Sequence, residues 1–455
     1  MKLRLTLDTA AIGVLILVTV LVGLAIFLGV QAGVRVTTDL PENDEIGPFQ
    51  KITITFSETV DPALTKSLFS IQPAMDENFQ WLNDHTLQIT SKQLFQLNTA
   101  YTLTLRPGNI TSKGRFLKSE KKWAFHVRDP LVVYLLTDDQ QSSLWVTDLN
   151  KNPPQRITPE NIKVMSFDVS FNGEFIIFAS PNKQNGIDFW RVNRAGNDAS
   201  ILLNCGRDRC TEPTISPDGT RIAYSREAAG LGPDLPFGSP RIWLLDMQSG
   251  RNSPVYADQQ VLGYGSSWSP DSTKLASYDG FAKQIRLLDM KNNQLYNFPS
   301  NTGGPMTWSP DSTKMLYTDV EQIDTGARTR IHIADLSLNT SSVLIGEKDE
   351  RDYSYSSLAW SPVKDSVVLG FHGNADNAAQ IFWLFDPNPS RLDGIVIANQ
   401  ADYTYNSPSW DPWGQALIFQ QFKMHDAFKP EIGLWKPGFP NPLFLATGFM
   451  PHWLP

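Results

Sequence analysis

Tyrosine and aspartate recur in short, similar runs along the second half of the chain. The runs at 352–355 (Asp-Tyr-Ser-Tyr) and 402–405 (Asp-Tyr-Thr-Tyr) repeat one pattern, and Tyr264 lies in a related Gly-Tyr-Gly-Ser run. A tyrosine ring offers a ligand an apolar face and a hydrogen-bonding tip at low entropic cost, which suits glycan or protein contacts. The interpretation that we favour is that these rings pack between neighbouring repeats or begin a strand. If they are exposed instead, they indicate a candidate binding surface made by Tyr264, Asp352, Tyr353, Tyr355, Asp402, Tyr403 and Tyr405.

Residues that could form a catalytic or metal centre are scattered along the sequence. None of the six histidines lies at metal-ligand spacing from another. The sequence has no Gly-x-Ser-x-Gly elbow of the hydrolase type, and the Ser-Pro-Asp-Gly run at 216–219 is typical of a turn. We therefore expect no metal, no cofactor and no enzymatic activity. The alternative is a glycan-active or other hydrolytic enzyme that uses acidic and tyrosine side chains.

The two cysteines, Cys205 and Cys210, enclose a short loop. A zinc site needs about four ligands, and no further cysteine or histidine pair stands at the required spacing. If the chain is exported, a disulfide across this loop is expected, and two free thiols are the alternative. Either state affects one loop and carries no catalytic function.

The composition is that of a folded, acidic chain. Aromatic residues make up 11% and charged residues 19% of the 455 residues, which is too apolar for a disordered chain. The net charge is −8, and no basic domain is visible, so nucleic acid is not expected as a partner. The length allows two or three domains of roughly 100–200 residues each.

An apolar segment near the N-terminus predicts a membrane helix. Residues 10–30 carry no charged side chain, and a helix of this length can cross a hydrocarbon core of about 30 Å. Lys2 and Arg4 precede the segment, so the Lys/Arg bias places residues 1–9 in the cytoplasm and the rest outside. The alternative is a signal peptide cleaved after Ala32. Both interpretations place most of the chain outside the cytoplasm.

Residues 38–128, which follow a linker at 31–37, alternate polar and apolar side chains with the period of half-buried strands. Examples are Lys51–Phe56, Thr86–Thr90 and Tyr101–Leu105. Shorter strands are expected at 68–71, 79–82 and 123–127. Six short strands in this length predict a β-sandwich.

The same region is similar to a known family. Ile54–Pro62, Phe69–Pro73 and Thr99–Leu103 resemble the bacterial Ig-like domains of the SbsA type, and the resemblance extends over nearly the whole segment. The resemblance implies a spacer or stalk.

The rest of the chain, residues 129–455, repeats with a period of about 40–53 residues, which is typical of propellers. One signature is an apolar strand that ends in an x-Ser-Pro turn, as in Trp268–Pro270 and Trp308–Pro310. The second is the apolar strand after this turn, and the third is a later apolar strand, often with Trp, that ends near an Asp. The second and third signatures each occur seven times, and the first occurs six times before residue 420. Seven blades are favoured, and six are the alternative.

The missing copy of the first signature lies in Pro451–Pro455. These residues are expected to supply the inner strand of the blade that begins at Leu131. That pairing closes the ring and removes the free sheet edges. Residues 131–455 resemble the TolB-type propeller repeat with its Trp-Ser-Pro-Asp-Gly core. TolB itself has six blades, and the resemblance implies an architecture rather than a function.

Taken together, these features predict an all-β extracytoplasmic protein on a single-pass anchor in the cell membrane. The Ig-like domain would be the stalk, and the propeller would be a non-enzymatic binding or scaffold module for an envelope protein or glycan. The elaborated loops are expected on the rim that carries the blade-linking segments, so the binding face is predicted there. A purely structural envelope component is the remaining alternative.

Overall fold

Two compact units make up the chain, Met1–Arg128 and Asp129–Pro455. Strands predominate in both units, as expected for an all-β protein. The computed structural model describes residues 12–23, 33–41, 45–112, 114–138, 141–150, 152–232, 235–323, 326–345, 354–372, 381–387, 394–424 and 426–455.

The N-terminal segment is helical where it is described. Residues 12–23 form helix α1, and its apolar side chains are exposed. The other residues of the predicted anchor at 10–30, the predicted tail at 1–9 and Ala32 lie outside the described residues. Within the described ranges, no helix has both the length and the apolar character needed to cross a membrane. The anchor therefore stays a prediction.

Two four-stranded sheets form a β-sandwich in the first unit. Alternation along one strand sets its two faces, because Ile52, Ile54 and Phe56 are buried whereas the threonines between them are not. Phe69 and Phe79, one from each sheet, meet with ring centroids 5.8 Å apart. In hydrogen-bonding order, the first sheet has the strands β1 (Val36–Thr38), β3 (Ile52–Phe56), β6 (Thr86–Ser91) and β5 (Glu77–Asn83). The second sheet has β2 (Glu45–Ile46), β10 (Lys121–Val127), β7 (Ala100–Leu105) and β4 (Phe69–Gln72).

Short elements complete this unit. Helix α2 (Pro62–Lys66) starts after Asp61, whose carboxylate accepts the backbone N–H groups of Ala63 and Leu64 at 2.9 and 3.1 Å. This cap satisfies donors that a helix start leaves free, and proline fits the first helical position because it has no N–H to satisfy. A small ribbon pairs β8 (Gly108–Asn109) with β9 (Phe116–Leu117).

Seven four-stranded antiparallel blades make up the described part of the second unit. Blades 2 and 3 also share one parallel bridge, between Ile187 and Arg209. Blade 1 has β11 (Leu131–Asp138), β12 (Gln141–Thr147), β13 (Gln155–Arg156) and β38 (Phe449–Leu454), and blade 2 has β14 (Ser166–Val169), β15 (Phe175–Pro181), β16 (Ile187–Asn193) and β17 (Ser200–Leu203). Blade 3 has β18 (Arg209–Ile215), β19 (Arg221–Glu227), β20 (Arg241–Asp246) and β21 (Asn252–Pro254).

Each of the other four blades consists of four strands that are consecutive in the chain. Blade 4 has β22 (Gly263–Trp268), β23 (Lys274–Asp279), β24 (Gln284–Asp289) and β25 (Gln294–Pro299). Blade 5 has β26 (Met306–Trp308), β27 (Lys314–Ile323), β28 (Gly326–Asp335) and β29 (Thr340–Ile345). Blade 6 has β30 (Ser354–Trp360), β31 (Val367–His372), β32 (Ile381–Phe385) and β33 (Gly394–Ala398). Blade 7 has β34 (Tyr403–Trp410), β35 (Leu417–Lys423), β36 (Asp426–Trp435) and β37 (Leu443–Thr447).

The core of the propeller lies between neighbouring blades. Leu135 and Leu144 of blade 1 pack in one cluster with Ile176 and Phe178 of blade 2. The second strand of a blade is buried on both faces, so it reads as a continuous apolar run, as in Phe175–Ala179. This is why the second repeat signature was visible as an apolar stretch.

The ring closes through its two ends, as predicted. Strand β38 pairs antiparallel with β11, and Leu454 lies opposite Leu131 and Trp453 opposite Val132. The last strand therefore fills the inner position of blade 1. This pairing covers the inner edge of β11, which would otherwise be left unpaired.

The repeated Ser-Pro-Asp segment is a hydrogen-bonded turn. In blade 4 the Ser269 hydroxyl donates to the Asp271 carboxylate at 2.6 Å and accepts the backbone N–H of Lys274 at 2.9 Å. Ser272 adopts a positive φ of 60°, and its hydroxyl accepts the N–H of Asp218 in the preceding blade at 2.9 Å. The turn thus connects the first two strands of blade 4 and is hydrogen-bonded to the corresponding turn of blade 3.

The tryptophan of the same signature links successive inner strands. Four indole nitrogens donate to the preceding blade: Trp268 to Thr214 O at 3.0 Å, Trp308 to Ser267 Oγ at 3.1 Å, Trp410 to Ala359 O at 3.2 Å and Trp453 to Ser409 O at 3.0 Å. In blade 6 the backbone N–H of Trp360 donates to Thr307 Oγ1 at 2.9 Å.

The loop before blade 3 is cross-linked. Cys205 and Cys210 form a disulfide with an S–S distance of 1.97 Å, and both residues are buried. Between them, Asp208 forms an ion pair with Arg226 at 2.7 Å and accepts the backbone N–H of Ala229 at 2.9 Å. The bridge therefore stabilises a small loop that supports the neighbouring one.

Candidate functional site

The tyrosines proposed as a binding surface lie near the starts of three inner strands. Tyr264 is in β22 of blade 4, Tyr355 in β30 of blade 6, and Tyr403 and Tyr405 in β34 of blade 7. Asp402 directly precedes β34 and is exposed. Asp352 and Tyr353 lie outside the described residues.

Two of these rings are core residues. Tyr355 is 1% exposed and Tyr405 is 0% exposed. The Tyr405 hydroxyl accepts the backbone N–H of Gln400 at 3.0 Å, and its ring meets Phe419 edge-on at 5.6 Å. Burial raises the pKa of Tyr405 to about 12. A binding role for the Tyr355 and Tyr405 rings is incompatible with this burial, because neither ring reaches the surface.

The two other tyrosines of the predicted surface that the structure describes do not form one surface patch. Tyr264 is 37% exposed and packs edge-on against Tyr278, with centroids 5.3 Å apart. Tyr403 is half-buried and stacks on Tyr405 at 6.4 Å, with the ammonium group of Lys423 5.9 Å from its centroid. The structure thus brings Tyr403 and Tyr405 together and places Tyr264 on a different blade.

A cavity of about 350 Å³ opens on the axis of the ring. Its lining comes from the inner strands and turns of blades 1, 2, 5, 6 and 7, so it lies where those strands converge. Trp360 and Trp410 line it, five positions after Tyr355 and Tyr405 on the same strands. At roughly 3.3 Å per residue, the cavity lies about 16 Å along these strands from the tyrosines. It belongs to the rim of the Ser-Pro turns, not to the rim of the blade-linking loops.

Most of the side chains that line the cavity are apolar. Its walls are built from tryptophan, phenylalanine and proline, represented by Trp360, Trp410, Phe171, Pro362 and Pro412. No aspartate, glutamate, lysine or arginine is among the described residues that line it. The volume lies within the range of about 300–1,000 Å³ that is typical of ligand pockets.

One titratable side chain, His452, stands in the described lining. Its Nδ1 lies 3.6 Å from Asp168 Oδ1, and its ring contacts Phe167 with centroids 4.8 Å apart. The other carboxylate oxygen of Asp168 accepts the backbone N–H of Ile215 at 2.7 Å. Asp168 is thereby fixed by blade 3 and in turn faces the histidine of blade 1.

Sequence reasoning missed this site for a specific reason. Most lining residues belong to the x-Ser-Pro turn signature, which in the sequence indicates a repeated structural turn rather than a binding site. His452 has no neighbouring histidine in the sequence that would indicate a site. A usable signal did exist: His452 and Asp168 take the position before the last apolar residue of the inner strand, where other blades carry small residues such as Ser267 and Thr307. Among the described residues, no group of three or more His, Cys, Asp or Glu side chains could hold a metal ion.

The architecture defines a bacterial Ig-like domain followed by a seven-bladed β-propeller. Residues 31–127 match the family model of the bacterial Ig-like domain, Big_5. The prediction of an Ig-like domain is thereby confirmed. Among curated proteins, no sequence matches this chain.

Solved structures similar to this chain are propellers. A puromycin hydrolase superposes with a TM-score of 0.52 at 11% identity, covering 70% of this chain and 52% of that one. TolB from Acinetobacter baumannii has a TM-score of 0.41 at 16% identity, covering 71% of this chain and 82% of that one. The propeller domain of the Trilobed protease from Pyrococcus furiosus has a TM-score of 0.46 at 14% identity, covering 64% and 84%. At these identities the similarity concerns the fold alone.

Proposed function

We propose that this chain is a membrane-anchored, extracytoplasmic binding or scaffold protein. The Ig-like domain serves as a stalk, and the propeller recognises an envelope protein or glycan. The observation that carries the proposal is the axial cavity, a concave site of about 350 Å³ within a closed ring, lined mostly by apolar side chains and by a few polar ones. Apolar pockets with a few polar groups are the usual form of recognition sites.

This proposal puts the recognition surface on the rim of the Ser-Pro turns. Phe171 lies in the cavity wall, and Tyr264 lies near the start of the inner strand of blade 4. A photo-crosslinking phenylalanine analogue introduced in place of Phe171, whose ring it resembles in size, should capture a defined envelope component in intact cells. The same analogue in place of Tyr264 is the matched control and should capture much less.

A cavity-filling substitution adds a second test. Ser409→Tyr, at a second position in the cavity wall, should abolish the crosslink from the analogue at position 171. Comparable capture from positions 264 and 171, or capture that survives Ser409→Tyr, would move the binding surface away from the cavity.

The membrane part of the proposal is supported by the sequence of residues 10–30, which has no charged side chain. The full-length chain should stay with membranes in carbonate buffer and dissolve in detergent. A double substitution, Leu17→Arg with Leu21→Arg, should release it, because each arginine at the centre of a membrane helix costs about 2.5–3.5 kcal/mol. Release of the wild-type chain by carbonate would contradict the anchor, and an N-terminus mapped to Gly33 would favour the cleaved signal peptide.

A further inference from the structure

The polar groups of the axial cavity are few, and two of them are already engaged. The Ser170 hydroxyl accepts the backbone N–H of Phe175 at 3.0 Å, and the Thr307 hydroxyl accepts that of Trp360 at 2.9 Å. In the described part of the chain, no residue hydrogen-bonds to Nε2 of His452. Most side chains that a ligand would meet are therefore apolar, and His452 Nε2 is a ring nitrogen that the described residues leave without a hydrogen bond.

We propose that the axial cavity takes a short, uncharged, apolar segment of a partner polypeptide, and that His452 selects a segment that donates one hydrogen bond. This inference rests on the proposed function, because it names the ligand class of the same site. His452 would contact the ligand, and Asp168 acts through His452 as a positioning residue.

A glycan is a poor occupant of this cavity. Each buried sugar hydroxyl needs a hydrogen-bond partner, and an unpaired polar group costs about 1–3 kcal/mol. An anionic polymer is disfavoured too, since the described lining has no lysine or arginine and Asp168 lies behind the histidine. Burial of proline, leucine and aromatic side chains is instead favourable, because it removes apolar surface from water. Such side chains can pack against Trp410, Phe171 and Pro362. A volume of about 350 Å³ holds a few such side chains.

The orientation of His452 determines which polar group it selects. Its Nδ1 faces the Asp168 carboxylate at 3.6 Å, which favours the tautomer with the proton on Nδ1. Nε2 is then an acceptor, so it pairs with a donor such as a peptide N–H or an indole N–H. The Phe167 ring also contacts the His452 ring, with 4.8 Å between their centroids.

The test uses the full-length chain in detergent and calorimetric titration with a panel of capped hexapeptides. Their central residues combine leucine, proline and tryptophan, and each peptide has a partner in which the central donor nitrogen is methylated. The glycan probe is chitotetraose. Peptides with a free donor should bind, methylation or His452→Phe should weaken binding about five- to tenfold, and Tyr264→Phe should leave it unchanged.

Asp168→Asn separates positioning from packing. The amide keeps an oxygen for the Ile215 N–H, loses the bond that Oδ1 accepts from the Val169 N–H, and turns its NH2 group towards Nδ1 of His452, which favours the ring proton on Nε2. Donor peptides should then bind this variant no better than their methylated partners, a change that lost packing alone would not produce. Chitotetraose binding without peptide binding would overturn the inference and leave the proposed binding function intact. Equal affinity of the wild type for free and methylated peptides, or peptide binding unaffected by His452→Phe, would overturn the role of His452.

Discussion

Arg194 and Leu454 are joined by a hydrogen bond of 2.8 Å from the guanidinium Nη1 to the Leu454 carbonyl oxygen, across 260 positions of the chain. The same guanidinium donates to the carbonyl oxygens of Pro455 at 2.6 Å and Asp129 at 2.9 Å. One side chain of blade 2 therefore holds both ends of the propeller. Three charge-assisted hydrogen bonds to backbone oxygens make Arg194 a latch on the closed ring.

Removing this latch should loosen the last strand. Arg194→Ala should lower the free energy of unfolding by about 2 kcal/mol or more, since hydrogen bonds to charged groups contribute about 1.5–3 kcal/mol each. Hydrogen exchange followed by mass spectrometry should show faster exchange in β38 and β11. Arg251→Ala, at an exposed turn in blade 3, is the control and should change neither quantity. Unchanged exchange in β38 would mean that pairing with β11 suffices for closure.

Two glycines with nearly the same backbone φ angle, Gly173 and Gly219, allow a test of how closely Pro455 packs against the turn at Gly173. Gly173 has φ of +69° and Gly219 has φ of +72°. A Cβ on Gly173 would lie 1.8 Å from the Pro455 carbonyl oxygen, whereas a Cβ on Gly219 would meet nothing within 4 Å. Both alanine substitutions incur the left-handed backbone cost of about 1–2 kcal/mol. Thermal and urea unfolding should show that Gly173→Ala loses at least about 2 kcal/mol more than Gly219→Ala. Equal losses would show that Pro455 moves aside freely.

The turn aspartates should make stability depend on pH in the acid range. Partial burial raises the pKa of Asp271, but hydrogen bonds from Ser269 and Thr273 and the charge of Lys274 outweigh it and lower the pKa to about 2. Because this pKa is lower than the ordinary 3.8, the carboxylate stabilises the folded state above about pH 4 and loses that effect as the pH falls towards 2.

Asp271→Asn should therefore be less stable than the wild type at pH 7, and the difference should shrink between pH 4 and pH 2. Urea unfolding at a series of pH values measures this difference. Asp365→Asn, at an exposed position, should show little difference at any pH. A difference for Asp271→Asn that stays constant down to pH 2 would contradict the hydrogen-bonded carboxylate.

The disulfide should contribute to stability without affecting ligand binding. Replacing Cys205 and Cys210 together by alanine should lower the free energy of unfolding by about 2 kcal/mol, the loop-entropy value for so short a loop. The Cys205–Cys210 loop is on the blade-2-to-blade-3 connection, whereas the cavity is lined by blades 1, 2, 5, 6 and 7. Peptide affinity of the double variant should therefore equal that of the wild type under the same titration. A large loss of affinity would connect this loop to the recognition site.

The repeats determined most of the architecture from the sequence alone. Each blade carries its own turn, inner strand and apolar second strand, so the pattern is local and can be counted. The placement of the missing inner strand in Pro451–Pro455 followed from the same count, and β38 now stands there. The alternation in Ile52–Phe56 likewise predicted the sandwich strands, because burial of one sheet face forces a period of two.

Only the tertiary structure decided where a ligand could bind. Burial of Tyr355 and Tyr405 depends on the residues of neighbouring strands and blades that cover their rings, and the composition of a single run contains no such information. The pair of His452 with Asp168 forms because ring closure brings the last inner strand beside blade 2. The axial cavity arises in the same way, since its walls come from five blades that are distant in sequence. A repeat specifies its own blade, whereas a site on the axis exists only after all the blades have closed into a ring.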